Sequence, residues 1–219
     1  MLSIPASVVS PSAAEGDPDE GKCAVIVRGE APTIPDVNGE TGANVVTLAD
    51  GTRVPVRPIH PSDAAPLQAF HRRLSEQSIY LRFFAMLPAL ADERARYFAD
   101  VDGVDRVALV ALDPAAPDTI IAVVRYDRLP GTDQAEYAAV VTDRWQGRGI
   151  GAALSRQLIQ IERHRGICQF VAIVLPENAR MLHLFRDLGL PEHTRWDAGT
   201  VRVVIDLISD DEPATTVNA

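Results

Sequence analysis

The feature that most constrains the fold of this chain is a strand-like segment that runs into a glycine-rich turn and then into an amphipathic helix. Residues 135–141 contain Val and Tyr but neither Gly nor Pro, which is typical of a buried strand. Glycine then occupies three alternate positions, 147, 149 and 151. Apolar residues follow at helical spacing, at positions 150, 154, 158 and 161. The predicted order is strand, glycine loop, helix.

This order predicts a phosphate-binding site. The first N–H groups of a helix have no partner within the helix, and the helix dipole makes that end electropositive. Glycines in the preceding turn let the backbone approach a ligand without an intervening Cβ, so that phosphate oxygens can accept those N–H groups. Arg144 and Arg148 add positive charge beside and within the turn.

Three phosphate-binding motifs can be compared with this loop. A nucleotide-hydrolysing P-loop needs Lys and then Ser or Thr after its last glycine, but two alanines follow Gly151. A dinucleotide pattern, G-x-G-x-x-G/A, fits Gly147, Gly149 and Ala152, yet such a loop normally follows the first strand of its domain. The pyrophosphate loop of acyl-CoA-dependent N-acyltransferases, Gln-x-x-Gly-x-Gly, fits Gln146, Gly149 and Gly151. A glycine turn that serves tight packing alone is the remaining alternative.

From about residue 52 to residue 207 the chain resembles the GNAT superfamily of N-acetyltransferases. Besides the loop, residues 178–190 resemble a second signature of that family, in which Asn opens a helix that ends in a Leu-Gly step. Residues 75–84 and 135–137 resemble the bacterial Pat-type protein lysine acetyltransferases. The resemblance implies an α+β (mixed α/β) fold, in which helices flank a mostly antiparallel central sheet with a parallel strand pair at the cofactor site.

Composition divides the chain into three parts. Residues 1–42 are rich in Pro, Gly, Ala, Ser and acids, which predicts a disordered or weakly ordered segment with at most a short strand at 23–27. Residues 43–208 are the predicted acetyltransferase domain, and residues 209–219 a flexible acidic tail. No apolar run approaches the ~20 residues of a membrane helix, and the N-terminus lacks a basic signal region. We therefore expect a cytoplasmic protein that does not enter a membrane.

The charge of the chain bears on its partners. The formal net charge is −9, with 30 acidic and 21 basic side chains. Nucleic acid is disfavoured as a partner because binding to phosphates calls for a basic face. A positively charged amine suits a negative protein, although acidic soluble proteins are common. The two cysteines make no disulfide framework, and Cys168 is expected to be a buried thiol.

The remaining segments predict a mixture of strands and helices. Asp50 and Gly51, between two apolar runs, are a hairpin signal. Ser62 is a candidate N-cap for the first helix. A strand at 169–174 is expected to lie parallel to the strand at 135–141. The other expected elements are helices at 78–84, 92–99 and 178–188, and strands at 52–56, 106–112, 120–126, 192–196 and 201–208.

Transfer of an acetyl group to an amine requires that the amine lose a proton, because the pKa of a free lysine is ~10.4. Glu136 is the best candidate for this general base. It lies in an otherwise apolar strand, and period-2 alternation places it on the face opposite Tyr137. Apolar surroundings are expected to raise its pKa toward neutrality. A solvated carboxylate at the start of the strand is the alternative.

The resemblance also implies which residues hold acetyl-CoA and the acceptor. The pantetheine arm of CoA would pair with the strand backbone, where one N–H could polarise the thioester carbonyl. Residues of the first helices, namely Tyr80, Arg82, Phe83 and Phe84, are candidates for the acceptor side, although both phenylalanines are also typical of a core. The predicted cofactor-binding residues are Ala139, Val140, Val141, Gln146, Gly147, Arg148, Gly149, Ile150, Gly151, Ala152 and Asn178.

One departure from the family leaves the function partly open. Many members of the family carry Tyr where this chain has Phe185, and they use its hydroxyl to protonate the leaving thiolate. The five histidines show no metal-ligand spacing, so no metal is expected. The favoured function is transfer of an acetyl group from acetyl-CoA to a protein lysine. A small-molecule amine acceptor and a non-catalytic acyl-CoA-binding sensor are the alternatives.

Overall fold

The computed structural model describes residues 44–162 and 165–207, and the fold is given for these residues. The predicted N-terminal segment and acidic tail lie outside the described residues. No helix within the two ranges is long and apolar enough to cross a membrane. The elements are β1 (Asn44–Thr47), β2 (Arg53–Pro58), α1 (Ala64–His71), α2 (Glu76–Phe83), α3 (Asp92–Ala99), β3 (Arg106–Asp113), β4 (Ala116–Arg128), β5 (Gln134–Val141), α4 (Ile150–Glu162), β6 (Gln169–Val174), α5 (Ala179–Leu188), β7 (Glu192–Asp197) and β8 (Thr200–Asp206).

The eight strands form one sheet in the order β1-β2-β3-β4-β5-β6-β8-β7. Every neighbouring pair is antiparallel except β5 and β6, which are parallel. Helix α4 lies between these two strands in the chain, as the long connection between parallel strands requires. The predicted mostly antiparallel sheet with one parallel pair is confirmed.

Several elements form where their local signals predict. The β1–β2 hairpin turns at Asp50 and Gly51, where Asp50 Oδ1 accepts a hydrogen bond from Thr52 N at 2.9 Å. Helix α3 begins and ends at the predicted residues. Helix α5 is capped by the Asn178 side chain, which accepts from Met181 N, and ends at Gly189 in the left-handed conformation.

The predicted N-cap of α1 was wrong. A 3₁₀ turn, Pro61–Asp63, precedes the helix, and its cap is His60, whose Nδ1 accepts from Ser62 N at 3.2 Å. Asp63 stabilises the turn because its carboxylate accepts two hydrogen bonds from Arg57 and one from His60 N. The Arg57–Asp63 ion pair joins β2 to the turn across six residues of the chain. No sequence motif indicates a contact of this kind, so it was not predicted.

Helix α2 begins two residues earlier than predicted and ends one residue earlier. The Ser75 side chain accepts from Ser78 N, so Ser75 is the N-cap. The helix ends at Phe83 because Phe84 takes a left-handed conformation with φ of 54°, four residues before Pro88.

Two hydrophobic clusters lie on opposite faces of the sheet. Side chains from α4 and α5 cover one face, and side chains from α1, α2 and α3 cover the other. Strand β3 shows how alternation divides them, since Leu109 joins the first cluster while Ala108 and Val110 join the second. Cys168 is buried, as predicted.

Candidate active site

The parallel strand pair opens into a cleft partway along its length. β5 and β6 pair over three residues only, and the last pair is Glu136 with Val171. Both strands continue, to Val141 and Val174, but there β5 pairs only with β4 and β6 only with β8. Thr142 N donates to Ile121 O on β4, so the alternation of an antiparallel pair turns the backbone groups of Tyr137, Ala139 and Val141 toward the cleft. Val141 O accepts from Gln146 Nε2, and the edge is otherwise open to a ligand within the described residues. An extended ligand can pair with such an edge as a further strand would.

The glycine loop leads from this cleft to the N-terminus of α4. Gly147 and Gly149 have φ values of 71° and 83°, a conformation that strains other residues. Within the two described ranges, the N–H groups of residues 147–152 donate to no protein acceptor, and Ala153 N is the first to bond, to Gly149 O at 3.0 Å. These free N–H groups lie at the positive end of the helix dipole, so they can bind phosphate oxygens.

Gly151 has a packing role that its sequence pattern does not reveal. A Cβ at this position would lie 2.8 Å from Leu184 Cδ1 on α5, which is closer than a real contact allows. By contrast, no atom lies within 4 Å of a Cβ built on Gly147 or Gly149. The absence of a side chain at Gly151 lets α4 pack against α5, and the other two glycines serve the backbone conformation of the loop.

The side chain of Arg148 is already held by the β1–β2 hairpin. Its guanidinium donates to Asp50 Oδ2 at 2.6 Å and to Thr52 Oγ1 at 3.0 Å, and it lies 4.2 Å from the centre of the Trp145 ring. The hydrogen bond from Arg148 holds the pKa of the Asp50 carboxyl well below its usual range. The backbone N–H of Arg148 is the group that remains free for a ligand.

A hydrogen-bonded clamp joins the loop to α2, on the other side of the cleft. Asp143 accepts from Ser75 N at 2.8 Å, from Ser75 Oγ at 2.6 Å and from Ser78 Oγ at 2.8 Å. Burial opposes ionisation, but these hydrogen bonds hold the pKa of Asp143 below its usual value. Gln146 Nε2 donates to Ser78 Oγ and to Val141 O, so the Gln146 side chain closes the clamp. The sequence pattern did not predict this contact.

Glu136 lies where the pairing of β5 and β6 ends. Its side chain is half-buried on the face of the sheet opposite Tyr137, as the alternation predicted. Burial raises the pKa of Glu136, and Asp127 on the neighbouring strand raises it further. The guanidinium groups of Arg82 and Arg125 oppose this shift but do not cancel it. The direction agrees with the expectation for a carboxyl that must accept a proton.

A cavity adjoins Glu136 on the same face of the sheet. It has an empty volume of about 480 Å³, part of which is open solvent, between α1, α2 and α3 and the strands β4 and β5. Ala138 and Val140, which alternate with the cleft-edge residues of β5, contribute to its wall. Three side chains with N–H groups also line it: His71, Arg82 and Arg125. Sequence reasoning proposed Arg82 for this side but missed the other two.

The opposite face of β5 is closed. The Tyr137 hydroxyl donates to Ser155 Oγ at 2.6 Å, because Ser155 Oγ itself donates to Gly151 O at 2.7 Å. Burial raises the pKa of Tyr137, so its hydroxyl keeps its proton. Phe185 is 1% exposed and packs edge-on against Tyr137, with ring centres 5.7 Å apart. Neither aromatic residue offers an acid to the cleft.

The described histidines do not form a metal site. No group of three or more His, Cys, Asp or Glu side chains suited to a metal ion occurs within residues 44–162 and 165–207. His60 caps a turn, His193 Nε2 lies 3.3 Å from Asp206, and His183 Nδ1 contacts Ala179 O. His71 differs from these because it is buried and neither ring nitrogen has a partner.

Comparison with known proteins places this arrangement among acetyltransferases. The model of the acetyltransferase (GNAT) family matches residues 68–190. Acetyltransferase PA5475 of Pseudomonas aeruginosa is 31% identical over 150 residues, which cover 66% of this chain and 78% of that protein. Acetyltransferase Pat of Mycolicibacterium smegmatis is 31% identical over 154 residues, which cover 69% of this chain but only 45% of that longer protein.

A solved structure gives the same result. The crystal structure of the GNAT domain of the PAT protein of S. lividans superposes with a TM-score of 0.69 at 38% sequence identity. The match covers 76% of this chain and 99% of that domain. The resemblance drawn from the glycine loop and from residues 178–190 is thereby confirmed.

Proposed function

Because the chain belongs to the GNAT acetyltransferase family, we propose that it transfers the acetyl group of acetyl-CoA to a protein lysine, with Glu136 as the general base. Acetyl-CoA is the co-substrate of this family. The observation that carries the proposal is the end of β5–β6 pairing at Glu136, which puts a half-buried carboxylate beside an open strand edge.

The cleft and the loop together fit the two ends of the cofactor. The cleft-facing backbone groups of Ala139 and the N–H of Val141 can pair with the pantetheine arm, whereas the backbone of Val140, between them, pairs with Val123 on β4. The free N–H groups from Gly147 to Ala152 can bind the pyrophosphate. Asn178 caps α5 through its side chain, and its role toward the cofactor is part of the proposal. The N–H of Ala139, three residues beyond Glu136 and turned toward the cleft, is our candidate for the donor that polarises the thioester carbonyl.

The proposed chemistry is a direct attack of the amine on the thioester. Glu136 accepts a proton from the lysine ammonium, and the neutral nitrogen bonds to the carbonyl carbon. The C–S bond then breaks, and the nitrogen releases its second proton to solvent as it becomes the amide. The raised pKa of Glu136 suits this step, since a base with a pKa nearer to neutrality is a better acceptor at neutral pH. Solvent protonates the thiolate, because Phe185 has no proton to give and the Tyr137 hydroxyl is bonded to Ser155.

A protein lysine is favoured as the acceptor for two reasons. The relatives include Pat from Mycolicibacterium smegmatis and the PAT protein from S. lividans, and resemblance to the Pat-type protein lysine acetyltransferases implies a lysine acceptor. A net charge of −9 also suits a cationic acceptor. A small amine would use the same base and the same cleft, so the experiment must distinguish the two.

The test is incubation of the purified protein with isotope-labelled acetyl-CoA and a cell lysate, followed by mass spectrometry of proteins and of small amines. We expect labelled acetyl groups on lysine side chains, at levels that depend on active protein. Glu136→Gln is the matched control, since it keeps the shape of the side chain but cannot accept the proton.

The outcomes separate the candidate functions. Label on small amines alone would replace the lysine acceptor with a small-molecule one. Binding of acetyl-CoA without any labelled product would favour the non-catalytic sensor and would contradict the proposed reaction.

A further inference from the structure

The cavity between α1, α2, α3 and the sheet offers an apolar surface beside β5. Its empty volume of about 480 Å³ includes open solvent, and its wall is mostly apolar, with Leu67, Phe70 and Leu74 from the α1 region and Val123 from β4. An acetyl group adds only a methyl beyond the thioester carbonyl. A longer acyl chain would place further methylene groups against this apolar wall.

Two polar side chains of this cavity have buried nitrogen atoms without a partner among the described residues. His71 is 2% exposed, and neither of its ring nitrogens makes a hydrogen bond. Arg125 is 6% exposed, and its Nε is also without a partner, while its terminal nitrogens donate to Phe98 O and Asp127. Buried polar atoms are nearly always hydrogen-bonded, because an unmade bond costs free energy. Two such side chains lining one cavity indicate a ligand that carries hydrogen-bond acceptors.

The charges around the cavity indicate that the ligand is anionic. Arg82 makes no hydrogen bond within the described residues, and its Cζ lies 5.0 Å from the centre of the Phe83 ring. Asp127 is already shared between Arg106 and Arg125. Glu136 is thus the acid left to balance Arg82, and it loses its charge when it accepts the proton of the amine. A carboxylate in the cavity would restore the balance.

The position of the cavity indicates which substrate brings that carboxylate. Ala138 and Val140 contribute to its wall, and the thioester lies along the same segment of β5 in the proposed function. The acyl chain therefore starts beside the cavity, and its far end can reach the groups that line it.

We infer that this cavity is an acyl-chain pocket that accepts a short dicarboxylic acyl group, such as malonyl or succinyl, whose free carboxylate is bound by Arg82, His71 and Arg125. This inference rests on the proposed function. The amine nitrogen bonds to the thioester carbon, the C–S bond breaks, Glu136 takes the proton, and the CoA thiolate leaves. The distal carboxylate takes no part in bond making and remains ionised.

The test compares the affinity of three thioesters by calorimetry, without any acceptor: acetyl-CoA, butyryl-CoA and succinyl-CoA. Butyryl and succinyl chains have the same number of carbons, so their difference isolates the distal carboxylate. A charge-assisted hydrogen bond in a desolvated pocket should make succinyl-CoA bind about tenfold more tightly or better. Arg82→Gln and His71→Phe should each reduce this ratio, to less than about threefold in Arg82→Gln. Arg96→Gln, an exposed change on α3, is the control and should retain it.

His71→Phe guards against a folding defect, because it places an aromatic ring of similar size in an apolar environment. Equal affinity for succinyl-CoA and butyryl-CoA would overturn the inference. A preference for succinyl-CoA that persists in both Arg82→Gln and His71→Phe would overturn it as well. If the acceptor, rather than the acyl group, supplies the carboxylate, butyryl-CoA and succinyl-CoA should bind with equal affinity, and the inference would again be overturned. Failure of all three thioesters to bind would instead contradict the proposed function itself.

Discussion

The two faces of β5 differ in how far their polar groups are satisfied. On the face covered by α4 and α5, Tyr137 donates to Ser155 and Ser155 donates to Gly151 O, among fully buried aromatic and aliphatic side chains. On the face covered by α1, α2 and α3, His71 has no partner and Glu136 has a raised pKa. Strand β5 thus lies between a fully packed core on one face and the candidate active site on the other.

This difference explains how a single strand can serve both stability and chemistry. Alternation sends successive side chains to opposite faces, so the residues that anchor β5 need not be the residues that face substrate. The closed face can be packed fully without affecting the site. The open face can keep a half-buried acid because the strand is held from the other side. Variants on the two faces should therefore fail in different ways.

The largest expected effect is on the open face. Glu136→Gln should lower kcat by roughly 10²–10⁴-fold, the range typical for loss of a general base, because the amide cannot accept the amine proton. Acetyl-CoA affinity, measured by calorimetry, should stay nearly the same, since the backbone edge and the loop are unchanged. Glu93→Gln, an exposed change on α3, is the control. If Glu136→Gln lost acetyl-CoA affinity to the same extent as it lost kcat, Glu136 would act in cofactor binding instead of proton transfer.

The next effect belongs to the closed face. Leu154→Ala on α4 should destabilise the protein by about 2–5 kcal/mol, because Leu154 is 0% exposed and truncation leaves a cavity in a packed core. Denaturant unfolding followed by circular dichroism measures it. Val104→Ala, at a position that is 56% exposed, should cost much less. Equal costs for the two variants would mean that the closed face is not the stabilising one.

Substitutions in the glycine loop should affect cofactor binding and stability separately, depending on which glycine is replaced. Gly149→Val should weaken acetyl-CoA binding by at least about tenfold, because a β-branched residue is strained at φ of 83° and the loop would have to leave the conformation that presents its N–H groups. Gly151→Ala should mainly lower the melting temperature, since its Cβ would meet Leu184. If Gly149→Val bound acetyl-CoA unchanged, the loop would not be the pyrophosphate site.

The smallest expected effects have opposite signs on the two faces. Tyr137→Phe should destabilise by about 0.5–1.5 kcal/mol through loss of the hydrogen bond to Ser155. His71→Phe should be neutral or slightly stabilising in the ligand-free protein, because it removes two unpartnered buried nitrogens. Thermal unfolding of both variants measures the difference. Clear destabilisation by His71→Phe would show that the histidine is satisfied in solution.

The sequence predicted those parts of the fold that depend on local signals. The Asp50-Gly51 turn, the Asn178 cap and the glycine loop each need only neighbouring residues, and each lies where it was predicted. The alternation of side chains along β5 also predicted that Glu136 lies on the face of the sheet opposite Tyr137. These features are local, so a single sequence contains enough information to place them.

The features that were missed depend on contacts between distant segments. The Asp143 clamp joins residues 65 to 68 positions apart, and the partner of Arg148 lies on a hairpin 98 positions away. The sequence predicts only that the histidines bind no metal, and the packing of α1 against the sheet is what shows that the His71 nitrogens lack partners. Spacing along a chain does not carry that information.

The central claim is that Glu136 takes the proton of the amine, and the pH dependence of kcat/KM tests it most directly. The base must be ionised, and its pKa is raised, so activity should fall as the pH drops through a value above the usual range of a glutamate. The unaltered protein should then rise to a plateau without a falling limb near pH ~10. Glu136→Gln should lose the Glu136 inflection, react more slowly at neutral pH, and recover partly toward the pKa of the amine. Identical profiles of similar magnitude for the two proteins would contradict the assignment.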